Sequence, residues 1–89
     1  FEKGLKHVRA RYKDFVMGDL GHWIFVDEKG EELNFMGNSD NTIQLDDGDQ
    51  ANSRYKGRLF DIYYKSEKAD IGDHNYIDAD VIEKIKIVN

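Results

Sequence analysis

The chain has 89 residues, 39% of them apolar and 35% charged, enough to fill one modest core but too few for a second domain or a deep catalytic cleft. Its 13 basic and 18 acidic residues leave a net charge of −5, which disfavours bulk attraction to a phosphate backbone. Cysteine and proline are absent, so disulfides and thiolate metal sites are excluded, and no proline blunts a strand edge.

In chain order, the first element expected is a long strand from Leu5 to Met17. Val8, Ala10, Tyr12 and Val16 form its apolar face, and His7, Arg9, Arg11 and Lys13 form a basic one. Asp14 and Phe15 break the alternation, which predicts a bulge or bend there. Gly18-Asp19-Leu20-Gly21 has turn chemistry. The segment His22–Phe35 then reads as a hairpin around Asp27-Glu28-Lys29-Gly30, with Gly30 supplying the left-handed residue of a type I turn and bulge. That register sets Phe25 opposite Leu33 and Trp23 opposite Phe35 on one face, with Ile24 opposite Asn34 and Val26 opposite Glu32 on the other.

From Gly37 to Lys56 loop formers dominate, and only Ile43 and Leu45 are available to hold this connection to a core. Arg58 to Lys65 is a fourth strand with Phe60, Ile62 and Tyr64 on its apolar face. Ser66 to Asn75 reads as a polar connection. Tyr76 to Val88 fits a helical face through Ile77, Val81, Ile85 and Val88, or a strand broken only at Glu83. Its branched side chains favour the strand.

Three meandering strands, a long polar connection and two more strands make the order of an all-β, five-stranded OB-like Greek-key barrel, a single domain spanning residues 1–89. An SH3-like barrel is the alternative, disfavoured by the length of the third connection. The runs GDLGHWIFVDEKGEELNF and YKGRLFDIYYK resemble small bacterial exported domains with OB-like barrels. That resemblance implies a bacterial, exported protein. A chain opening at Phe1 rather than Met fits the same expectation, with a signal removed and a periplasmic or extracellular location, although a tag or a longer parent chain would leave the same start. No apolar run reaches membrane-spanning length.

Several groups are candidates for function. Arg9, Arg11 and Lys13, with His7, form a positive row that suits an anion or, as the alternative, single-stranded nucleic acid read with hairpin aromatics. The same row suits a solvated face balanced by acids such as Glu32 or Asp61, and the net charge favours that reading. Asp46, Asp47 and Asp49, with Asp40 nearby, are candidate ligand-binding residues, but they lack the glycine and glutamate spacing of a calcium loop. Trp23, Phe25 and Phe35 suit either a stacking platform or a core. The core is preferred, with Trp23 buried and its indole N–H on a carbonyl near Gly18–Gly21. His7, His22 and His74 do not converge on a metal, and no catalytic motif is present. The expectation is a non-enzymatic binding module without cofactor or metal, whose partner is a small molecule or a protein.

Overall fold

The computed structural model describes residues 4–18 and 20–88; Asp19, from the first expected turn, lies outside them. The described residues form strands and loops with no helix. The strands are β1 (Lys6–Met17), β2 (Gly21–Asp27), β3 (Glu32–Asn38), β4 (Asp46–Asp47), β5 (Gln50–Ala51), β6 (Leu59–Gly72) and β7 (Asn75–Ile87). Five of them close into a ring in the order β1-β2-β3-β7-β6, with β6 returning to β1, while β4 and β5 form a small separate hairpin. All neighbours in the ring are antiparallel except β3 and β7, which run parallel.

The β2–β3 hairpin has the register its sequence predicts. Trp23 faces Phe35, Ile24 faces Asn34, Phe25 faces Leu33 and Val26 faces Glu32. Gly30 sits at φ 83°, where a Cβ would be strained, and its amide donates to the Asp27 carbonyl. The Asp27 carboxylate fixes the same turn by accepting from the amides of Lys29 and Glu31, both at 2.9 Å.

β1 carries the predicted irregularity: its register on β2 shifts between Tyr12 and Asp14. The shift inverts the remainder of the strand. Phe15 therefore enters the core, and Val16, expected on the apolar face, is 47% exposed. β7 has a second irregularity, between the pairs Tyr63–Lys84 and Tyr64–Ile82, which leaves Glu83 unopposed. As a result Ile82 joins the core cluster with Ile85. Val81 instead lies against Gly37, where a Cβ would come within 3.0 Å of its Cγ1. A glycine at 37 is what lets β3 approach β7 closely enough to complete the ring.

The interior is aromatic. Phe25 is fully buried, with ring centroids 5.1 Å from Tyr12, 5.6 Å from Phe35 and 6.1 Å from Phe60. Removing such a ring costs about 3–5 kcal/mol in a typical core. Burial pushes the Tyr12 hydroxyl well above the usual tyrosine range, and that hydroxyl donates to the Leu45 carbonyl at 2.8 Å.

That bond belongs to a set that anchors the long connection. Leu45 is buried in the core cluster, with Ile43 packed against it. The Asn52 amide returns to the Leu45 carbonyl at 2.8 Å. Asp40 reaches β7, accepting from the Ile85 amide at 2.9 Å, and the Ser39 amide donates to the Ile82 carbonyl at 2.7 Å. Together these two bonds satisfy backbone groups on either side of the β7 irregularity.

The largest departure from expectation is at Ser66–Asn75, a connection by composition. The structure extends β6 and β7 through it as a ladder that is regular from Lys65–Val81 to Asp70–Tyr76 and shifts register before Gly72–Asn75. Asp73 and His74 close the ladder at φ 52° and 61°. β1 leaves β6 at the Lys6–Tyr64 pair, and β3 leaves β7 at the Phe35–Asp80 pair. Beyond those pairs the hairpin runs on as a two-stranded arm.

Candidate functional site

Because β6 lies between β1 and β7, the outward side chains of three strands form one grid. His7 stands beside Tyr63, Arg9 beside Asp61 and Arg11 beside Leu59. On the other side of β6, Lys84 stands beside Tyr63 and Lys86 beside Asp61. The inward residues between them (Ala10, Phe60, Ile62 and Ile85) are buried, which fixes the facing of the rest. Arg9, Arg11, Lys84 and Lys86 thus share one outward face with Asp61, and of the four it is Arg9 that bonds its carboxylate.

Asp61 is the organising acid of this face. Arg9 donates to it through Nε at 2.9 Å and Nη2 at 3.1 Å, and His7 Nε2 lies 3.0 Å from Oδ1. Hydrogen bonding from Arg9 holds the carboxyl down at about 2, against burial, which works in the opposite direction; His7 adds to the lowering. The His7 ring also packs on Tyr63 at a centroid distance of 4.8 Å.

The other residues of the predicted row have separate attachments. Arg11 donates from Nη1 to the Gly57 carbonyl at 3.0 Å, which holds it by one of its donor nitrogens. Lys13, at the β1 irregularity, pairs with Glu32 at 2.6 Å. Both acids anticipated to balance the row, Asp61 and Glu32, do so. Where β2 departs from β1 at the Ala10–Asp27 pair, a groove of about 410 Å³ opens. Arg9, Arg11, Asp27 and Glu28 line it, and Val26 and Leu59 supply its apolar walls.

The acidic candidates lie elsewhere, on and beside the β4–β5 hairpin. Asp46 accepts the indole N–H of Trp23 at 3.4 Å, while Asp47 and Asp49 are exposed on either side of Gly48. Trp23 is therefore half-buried at the rim of the core, packed on Phe15 at 5.0 Å, and not enclosed as its position on the hairpin suggests. Its partner is this carboxylate, not a carbonyl of the Gly18–Gly21 turn. Asp40 is not grouped with the acidic run: Thr42 and the Ile85 amide occupy its oxygens. The histidines are dispersed, His7 on Asp61, His22 on Asn34 and His74 at the tip of the arm. Among the described residues no group of three or more His, Asp or Glu side chains is placed to hold a metal ion.

Sequence reasoning finds Arg9, Arg11 and their balancing acids but misses Lys84, Lys86 and Tyr63. The alternation Lys84-Ile85-Lys86-Ile87 was the available signal, since it marks a strand with one basic face. Comparison with protein-family models, curated proteins and solved structures finds no match to this chain.

Proposed function

We propose that the domain is a non-enzymatic binding module, an OB-like Greek-key barrel whose cationic outer face takes an acidic segment of a partner protein. The strand order β1-β2-β3-β7-β6 supports the OB-like reading, with its single parallel pair and its long connection before β6. The observation that carries the functional reading is the grid that sets Arg9, Arg11, Lys84 and Lys86 on one face with Asp61, on a chain of net charge −5. A positive surface on an acidic protein is a local field, and a local field selects the charge of what docks there. The groove beside Arg11 offers the apolar side chains of Val26 and Leu59 to an uncharged residue of the same partner, since Asp27 and Glu28 also line it.

Single-stranded nucleic acid is the second reading, favoured by the His7–Tyr63 stack within the basic grid. One aromatic pair gives few stacking platforms, so an acidic polypeptide is preferred.

Calorimetric titration with a glutamate-rich peptide and with a single-stranded oligonucleotide, each at low and moderate salt, separates the two. We expect salt-dependent binding of the peptide, weakened about tenfold or more by Arg11→Ala with Lys86→Ala. Tighter binding of the oligonucleotide transfers the proposal to the second reading. Binding of neither would reject the cationic face as a site.

A further inference from the structure

The β6–β7 arm has two edges, and they are built differently. On β6, the edge from Lys65 to Gly72 carries Lys65, Glu67, Lys68 and Asp70, and a register shift leaves Ile71 unopposed. Charged side chains and bulges are the devices that stop an edge strand from pairing. On β7, the edge from Asn75 to Ala79 reads Asn-Tyr-Ile-Asp-Ala. It has one charge, no proline and an unbroken register from Tyr76 to Ala79. Among the described residues no strand pairs with this edge, because β3 joins β7 only at Asp80. Tyr76 is 55% exposed there and Ile71, near the tip, is 53% exposed, whereas Ala79, where the arm meets the ring, is buried.

We infer that the β7 edge of the arm pairs with the same edge of a second copy of the chain, antiparallel about Ile77, to make a four-stranded sheet. The stretch is self-complementary in that register. Ile77 meets Ile77 of the second copy, Tyr76 meets Asp78, and Asn75 meets Ala79, so no like charges are opposed. Centring instead on Asp78 sets carboxylate against carboxylate, and centring on Ala79 sets Asp78 against Asp80; opposed like charges destabilise a strand pair. The Ile77 register also extends an apolar row. Ala69 already lies beside Ile77 within the arm, so the dimer aligns Ala69, Ile77, Ile77 and Ala69 across four strands. On the opposite face Asp78 keeps its ion pair with Lys68, at 3.3 Å, while the Tyr76 ring of the second copy covers its flank. A two-stranded ribbon alone is marginal in water, and pairing doubles its width.

Sedimentation equilibrium from about 10 µM to about 1 mM spans the range in which small interfaces dissociate. The expected mass rises from 10.4 kDa towards twice that value across the series. Ile77→Lys places two ammonium groups at the axis and is expected to hold the chain at monomer mass with an unchanged circular dichroism spectrum. Register is tested by cysteine pairs in this cysteine-free chain. Tyr76→Cys mixed with Asp78→Cys is expected to form mixed disulfides faster than either variant alone. A parent that stays monomeric throughout overturns the inference. So does a dimer in which the mixed cysteine pair cross-links no faster than either variant by itself.

Discussion

Asp61 shows how one residue sets the chemistry of a face. It lies between Arg9 on β1, which bonds it, and Lys86 on β7, which stands opposite it in the strand register. Its carboxyl falls to about 2, mainly through the Arg9 guanidinium, against an ordinary value of 3.8. The linkage has a definite sign. A carboxyl lowered in the folded state contributes stability that is fully present above its unfolded value, and that contribution is lost as pH falls through the folded one. The contribution from Asp61 is therefore lost between 3.8 and about 2. Thermal melts of the parent and of Asp61→Asn are expected to differ near pH 5 and to converge by about pH 2. A gap that stays constant across that range would show that the Asp61 charge contributes nothing. The paired face is solvated, so the gap is expected to be small and to narrow further in salt.

At the scale of elements, the most consequential contact is between the long connection and β7. Burial acts to raise the Asp40 carboxyl, but hydrogen bonds from Thr42 and the Ile85 amide outweigh it and hold the group below its ordinary range. Asp40→Ala leaves the Ile85 amide without its acceptor beside a buried side chain, a loss expected to be about 1–3 kcal/mol in denaturant unfolding. Asp40→Asn keeps an acceptor and is expected to lose less. Equal losses from the two variants would point to the charge, not the hydrogen bond. The sequence marks Asp40 only as one acid near a run of acids, because its partner is far along the chain and is a backbone amide. The β2–β3 hairpin was legible because alternation and Gly30 fix both its facing and its register locally. The β1 irregularity was legible for the same reason, since Asp14 and Phe15 break a local period. The arm was not, because strand composition reports burial and Ser66–Asn75 is largely exposed on both faces. The candidate site was half legible: alternation along β1 finds Arg9 and Arg11, but only the ring order brings Lys84 and Lys86 beside them.

Across the whole molecule, the ring and the arm differ in what holds them. The ring residues Ala10, Phe25, Phe60, Ile62 and Ile85 are all buried in one cluster, so their amides open only when that cluster is lost. For a domain of this size that opening requires about 5–15 kcal/mol. The arm rests on its own ladder and on exposed ion pairs such as Lys68–Asp78, whose side chains are 73% and 83% exposed. Pairs that open to water contribute about 0–1 kcal/mol, so little opposes fraying of the arm from its tip. Native-state hydrogen exchange at low protein concentration is therefore expected to split into two classes. Ring amides should exchange with the free energy of global unfolding, and those from Ser66 to Asp78 much faster and with little dependence on denaturant. Raising the concentration adds a discriminating condition. If β7 edges pair, the amides of Asn75 to Asp78 lose their fast exchange, and those of the ring gain only the association free energy, because global unfolding must first part the two copies. An arm as protected as the ring in dilute solution would mean that the hairpin and the ring unfold as one unit, and would remove the two-level description of the molecule.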